Sequence, residues 1–250
     1  MDQDHLLELS IREAGYWWHV NRRRLIMVFL RKLGASGISV LEVGCGGGLL
    51  SSLLSRNGFD VVAADIDLEA ARFAREKGVT KSVSLNAGQP WPFKNGSFQV
   101  VIMLDVLEHV KDDARCLAEA RRVLSPDGMG VVMVPAHPFL YSDWDRVLGH
   151  HRRYSASMLR SVIENAGYRI DIFSYHNALS FPLALFLRGS DRLMGRRFRR
   201  AEFPDIPNIL NKGLKCWGRV ECALIPLKIP FGLSLFTIIK PKAEDGFSHA

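Results

Sequence analysis

Long apolar runs are the first thing this 250-residue chain lacks. None approaches the roughly 18 residues a membrane span needs, and the nearest, Phe181 to Leu187, is closed by Arg188. Cysteine is scarce: four residues, at 45, 116, 216 and 222, form no C-x-x-C pair and take no histidine at zinc-ligand spacing. Neither a disulfide framework nor a zinc motif is offered, no metal is expected, and the cysteines read as reduced and intracellular. The opening residues, Met1-Asp2-Gln3-Asp4-His5, do not run basic-then-apolar as a signal peptide does, so a cytoplasmic protein is expected. Internal repeats and low-complexity tracts are also missing.

What is present fits one domain. A hydrophobic content of 48% can fill a full core, with one insertion. The net charge of +7 is unevenly placed: Arg188, Arg192, Arg196, Arg197, Arg199 and Arg200 crowd one stretch against Asp191 alone. Such density suits an anionic partner, whether phospholipid headgroups, a phosphorylated substrate or nucleic acid. Arg22 to Arg24 read as a solvated cluster.

Residues 5–33 carry apolar side chains at helical intervals, with Gly15 as a break and Gly34 as the end. Strands are expected at Ser39–Val43, Asp60–Ala64, Val83–Asn86, Gln99–Leu104 and Met129–Val134. Helices are expected at Leu49–Asn57, Leu68–Lys77 and Asp112–Leu124, with Ser125-Pro126-Asp127-Gly128 as a turn. A further helix (Ser155–Ala166) leads to a strand at Tyr168–Phe173, and Leu233–Lys240 supplies the last one. Strands alternating with helices of this length imply an α/β fold: a doubly wound, Rossmann-like, seven-stranded and mostly parallel sheet, with ligand across the carboxyl ends of the strands. The expected division is an N-terminal helical cap (1–36), a core (38–175), a helical, amphipathic insertion (178–232) and the last strand (233–241). A structureless loop as long as 178–232 is disfavoured in a compact domain.

The most informative stretch is Val40-Leu41-Glu42-Val43-Gly44-Cys45-Gly46-Gly47-Gly48-Leu49-Leu50. A strand that turns into a helix through glycines brings backbone N–H groups against a ligand with no side chain in the way. Asp65 closes the next apolar run, near the spacing at which an acid meets ribose hydroxyls in nucleotide-binding folds. The third glycine of G-x-G-x-x-G is missing, because Leu49 stands there.

Further segments follow in order: Val61 to Asp67, Trp91-Pro92-Phe93 with Ser97-Phe98-Gln99-Val100-Val101, Leu104-Asp105-Val106-Leu107-Glu108-His109-Val110, and Arg122 to Gly128. Over about residues 38 to 135 this set resembles the small-molecule branch of the class I S-adenosylmethionine (SAM) dependent methyltransferases. The resemblance implies SAM as cofactor and S-adenosylhomocysteine (SAH) as product. It places Glu42 and the backbone of Gly44, Cys45 and Gly46 around the methionine part, Asp65 on the ribose and Ile66 on one adenine face. Leu104 and Asp105 line the methionine side. The family's adenine-amine aspartate aligns with Ala87, so Asn86 or backbone groups are left for that contact, and Gln99 replaces another usual aspartate.

Acceptor-side candidates cluster after the fifth strand: His137, Tyr141, Trp144, Asp145, His150, His151, Arg152, Arg153 and Tyr154. The pattern P-A-x-x-x-L-x-S-x-x-D-x-x-x-G-H-x-R-R-Y resembles an uncharacterised subgroup of these methyltransferases, loosely associated with polysaccharide and lipid biosynthesis. His150, His137 and Tyr141 are the catalytic candidates. His150 serves either as base or as a loop-fixing hydrogen bond. Arg152 and Arg153 hold an anion or pair with Asp143 or Asp145, and His109 is either catalytic or part of a helix start. Trp17 and Trp18 are either core or an aromatic lid.

The reading is methyl transfer, at oxygen, to a small or lipid-linked acceptor, with an anionic membrane surface as a further partner. Nucleic-acid methylation is the alternative the basic balance invites, but base methyltransferases usually carry [DN]-P-P-[FY] where Leu104-Asp105-Val106-Leu107 stands. A nicotinamide-dependent oxidoreductase conflicts with the missing glycine. A non-catalytic SAM-binding module at a membrane surface is the remaining class.

Overall fold

The computed structural model describes residues 3–34, 37–186 and 205–242. The arginine cluster from Arg188 to Arg200, and with it the reading of that stretch, lies outside the described residues. Helices α1 (Gln3–Arg12) and α2 (Trp17–Leu30) precede strand β1 (Ser39–Val43), α3 (Leu49–Arg56), β2 (Asp60–Asp65), α4 (Leu68–Glu76) and β3 (Lys81–Ser84). Then come β4 (Phe98–Leu104), a 3-10 turn at Leu107–His109, α5 (Asp113–Val123) and β5 (Leu124–Pro135). After a 3-10 turn at Pro138–Leu140 follow α6 (Asp143–Val147), α7 (Ala156–Asn165), β6 (Tyr168–His176) and α8 (residues 181–186). Helix α9 (Asn208–Leu224) and β7 (Ser234–Pro241) are the last described helix and strand.

The seven strands form one sheet in the order β3-β2-β1-β4-β5-β7-β6. β7 runs antiparallel to both neighbours, and the remaining pairs are parallel. Strand order reverses between β1 and β4, and that reversal opens a crevice at their carboxyl ends where α/β folds take ligands. The doubly wound, mostly parallel sheet expected from the sequence is the one observed.

Two faces of buried side chains hold the sheet. On one, Leu41, Val43, Val101, Met103, Val132 and Val134 meet Leu117 and Ala120 of α5 and Leu159 of α7. On the other, Val40, Ile102, Val131 and Met133 meet Leu25, Ile26, Phe29 and Leu30 of α2, Leu50 and Leu54 of α3, and Cys222 of α9. Burying apolar surface at about 25 cal/mol per Å² is what drives this layering. Helices α2 and α9 cross closely at Gly218, where a Cβ would lie 2.1 Å from Asn21. The Asn21 amide Nδ2 donates to the Leu214 carbonyl at 3.0 Å across the same crossing.

Two expectations shift. Strand β3 covers Lys81–Ser84 instead of Val83–Asn86, because its partner β2 ends at Asp65, opposite Ser84. The residues expected to form a turn at 125–128 bulge out of β5. Leu124 pairs with Phe98 and Met129 with Val100, so only Gln99 stands opposite the four.

Candidate active site

The glycine loop lies at the reversal point. Gly44, Gly46 and Gly48 take φ of 74°, 52° and 78°, a region costly for side chains with a Cβ. At Gly48 a Cβ would also sit 2.5 Å from the Ala74 backbone, so glycine here sets the approach of α3 to α4. Gly44 and Cys45 donate to the Ala64 carbonyl, at 2.8 and 3.1 Å, tying the loop to β2.

Asp65, at the end of β2, closes the same loop. Its Oδ2 accepts from Gly46 N–H at 2.9 Å and its Oδ1 from Asp67 N–H at 3.0 Å. Burial raises its carboxyl above the usual range, and those backbone N–H groups oppose the rise. Asp67, not Asp65, caps α4, accepting from Glu69 N–H. Beside it, Ile66 and Leu68 are 62% and 70% exposed, two large apolar side chains left uncovered at the cleft.

Glu42 is buried under the loop and accepts from the Ser51 hydroxyl. Burial pushes its carboxyl up to about 7, with the Ser51 hydrogen bond pulling the other way. Leu104 is buried, and Asp105 has a left-handed backbone with φ of 56°. Arg22 of α2 reaches Asp105 at 2.5 Å, a pairing of the N-terminal segment to the cleft that the sequence did not indicate. Asn86 is exposed, its Oδ1 accepting from Gly88 N–H at 3.0 Å, and the Ala87 carbonyl accepts from the Trp91 indole at 3.3 Å.

The N-terminal helix also touches the loop. A Cβ at Gly46 would meet Leu9 at 3.0 Å, and one at Gly47 would meet the Glu13 carboxylate at 2.5 Å. Glu13 pairs with Lys77 at 3.2 Å, and the Lys77 ammonium donates to the Gly47 carbonyl at 2.6 Å. Trp17 is core and Trp18 half-buried, packed edge-on at 5.5 Å.

On the acceptor side the polar loop is largely bound to itself. His150 Nδ1 donates to Asp145 Oδ1 at 3.0 Å, and Arg153 Nε reaches the same oxygen at 2.7 Å. Burial alone would raise the Asp145 carboxyl; the His150 and Arg153 contacts outweigh it and hold it below its ordinary value. Arg152 pairs with Asp113 at 2.9 Å instead of Asp143 or Asp145, and the Tyr154 hydroxyl donates to the same Asp113 carboxylate at 2.7 Å. The Tyr141 hydroxyl donates to the His150 carbonyl at 2.8 Å.

His137, at φ of 64°, joins that loop through its backbone N–H, which donates to the Tyr154 carbonyl at 2.9 Å. Its Nε2–H donates to the Gly232 carbonyl at 2.9 Å, which leaves Nδ1 as the acceptor nitrogen. Its ring stacks on Tyr175 at 5.3 Å and lies 4.7 Å from Phe181 and 5.2 Å from Phe139. Burial lowers its pKa, the Gly232 bond opposing. His109 packs edge-on against His150 at 4.7 Å, and burial lowers it to about 4. Nothing in the sequence singled out Glu108, which is fully buried beside both histidines.

Comparison with known proteins agrees with the fold. Residues 41–132 match a methyltransferase domain family. The ubiquinone biosynthesis O-methyltransferase of Xanthomonas oryzae pv. oryzae is 35% identical over 130 residues, covering 46% of this chain and 54% of the relative. That of Sodalis glossinidius is 32% identical over 130 residues, covering 46% and 52%. The chain thus spans about half the length of the curated relatives it matches. A TehB-like SAM-dependent methyltransferase from Corynebacterium glutamicum shares the fold at 16% identity, covering 89% of this chain and 88% of that one with a TM-score of 0.54. Over residues 41–132 the chain is similar to the class I SAM-dependent methyltransferases. That domain and fold imply SAM as the cofactor.

Proposed function

We propose that this protein transfers the methyl group of SAM to an oxygen of a small or lipid-linked acceptor. The observation that carries the reading is the Asp65 carboxylate held against the Gly46 amide at the strand-order reversal. With one N–H on each oxygen, Asp65 keeps acceptor capacity for two ribose hydroxyls. Exposed Ile66 covers one face of adenine, with Asn86 and the Ala87 backbone at its amine. Glu42, the backbone of Gly44, Cys45 and Gly46, and Leu104 with Asp105 surround the methionine part.

Transfer is an in-line displacement. An acceptor oxygen lone pair forms the new bond to the methyl carbon, the carbon–sulfur bond breaks with its electrons left on sulfur, and the acceptor proton leaves to a base. His137 supplies that base: its Nδ1 is unprotonated and its lowered pKa keeps it neutral. The surrounding aromatic rings of Phe139, Tyr175 and Phe181 suit an apolar acceptor. His150 and Tyr141 orient the loop through Asp145 and through a backbone carbonyl. The O-methyltransferase relatives support oxygen as the methylated atom.

Placement at an anionic membrane surface is part of the proposal. Among the described residues no helix is long and apolar enough to cross a membrane. Helix α9 instead carries an exposed apolar stripe of Leu210, Trp217, Val220 and Leu224 at helical spacing. Beside it lies a recess lined by Arg24, Lys212, Lys215 and Arg219. Apolar area with flanking cations is what an interfacial helix presents. The test is incubation with methyl-labelled SAM and a lipid extract or an aqueous small-molecule extract. Label in an organic-soluble product supports the lipid-linked acceptor; label in neither fraction contradicts the methyl-transfer reading.

A further inference from the structure

Three donor side chains converge at the carboxyl edge of β4, although they come from two distant stretches of chain. Glu108 and His109 lie on the 3-10 turn after β4, and His150 on the loop after α6. One donor atom from each lies within 4.8 Å of the other two. The loop is fastened there by backbone, with His151 N–H donating to the Glu108 carbonyl at 2.7 Å.

Glu108 carries the argument. The residue is 0% exposed, and among the described residues neither carboxylate oxygen has a hydrogen-bond partner. An ionised carboxylate left so would be strongly disfavoured. Protonation does not repair the site either, since it leaves a buried O–H donor with nothing to donate to. His150 is held for a ligand's role: Asp145 takes the proton of Nδ1, which turns Nε2 outward as a lone-pair donor. A carboxylate behind a histidine is the arrangement that orients metal-binding imidazoles.

We propose that Glu108, His109 and His150 bind one divalent cation of the zinc type. Two imidazoles and a carboxylate are a donor set of three-ligand zinc sites, which keep a fourth position open. That fourth position is left to water or to another oxygen ligand. Tetrahedral bonds of about 2.0–2.2 Å put donors roughly 3.4 Å apart, so the side chains close by about an ångström on binding. No such site was legible in the sequence, because the histidine that completes it is not at a local ligand spacing.

The test is calorimetric titration of Zn2+ into the full chain after chelator treatment, with SAM titrated into the same preparation. One equivalent of Zn2+ is expected to bind, with at least tenfold weaker binding in Glu108→Gln and in His109→Asn. The second variant leaves the buried Glu108 in place and so keeps the test open if the first fails to fold. SAM binding without one-to-one Zn2+ binding, or Zn2+ affinity unchanged in both variants, overturns the site and leaves the methyltransferase reading intact. Zn2+ binding lost in the variants without any SAM binding upholds the site and overturns that reading.

Discussion

Asp65 reaches from the end of β2 to the Gly46 amide, with its Oδ2 2.9 Å from the Gly46 nitrogen. One carboxylate thus shapes the glycine loop and, in the function proposed, also takes the ribose. Asp65→Ala is expected to weaken SAM binding by one to two orders of magnitude, about 1.5–3 kcal/mol for lost charge-assisted contacts. It should also lower the melting temperature, because the Gly46 and Asp67 amides lose their acceptor. Unchanged affinity by calorimetry would remove Asp65 from the cofactor site.

Glu42 gives the chain a pH-dependent stability. Its carboxyl titrates near 7 when folded against an ordinary value of 4.5. Below the lower value it is protonated in both states, and the folded chain keeps this contribution in full. As pH rises from 4.5 through 7 the unfolded chain releases its proton first, and stability falls by roughly 3 kcal/mol. Glu42→Gln should flatten that part of the denaturation profile between pH 5 and 7.5. An identical slope in both proteins would show that Glu42 is not the titrating group.

His137→Asn should lower the rate of label transfer by about two orders of magnitude or more, the range general bases contribute, with SAM affinity preserved. Because burial lowers the His137 pKa, wild-type transfer should hold at neutral pH and decline only below the ordinary histidine range. A full rate in the variant would leave the base elsewhere on the loop.

The outer face of α9 should bring the protein down with anionic liposomes at low ionic strength, and rising salt should release it, since exposed charges are screened. Replacing Lys212, Lys215 and Arg219 with Gln should weaken sedimentation about a hundredfold, at about 1 kcal/mol per cation, and leave SAM affinity alone. Sedimentation that persists unchanged in the triple variant would contradict the role given to these cations.

The sequence made the sheet and the glycine loop legible because both are local. Gly44 to Gly48 and Asp65 each follow an apolar strand directly, and their geometry depends on the turn itself. Strand ends were less legible: β3 stops where β2 stops, which is a property of the pair. The acceptor loop was readable as a set of residues but not as a network. Arg152 finds Asp113 on α5, and His150 meets Glu108 after β4, only because the loop folds back over the sheet edge. Arg22 likewise read as a solvated side chain until α2 placed it on Asp105.

The most direct test is calorimetric titration of SAM, SAH and NAD into the purified chain under one set of conditions. The expected result is saturable one-to-one binding of SAM and SAH and none of NAD, with SAM binding strongly weakened in Asp65→Ala. Binding of NAD, or no binding of SAM and SAH to folded protein, would contradict the assignment of the glycine loop and Asp65 to a methyl donor.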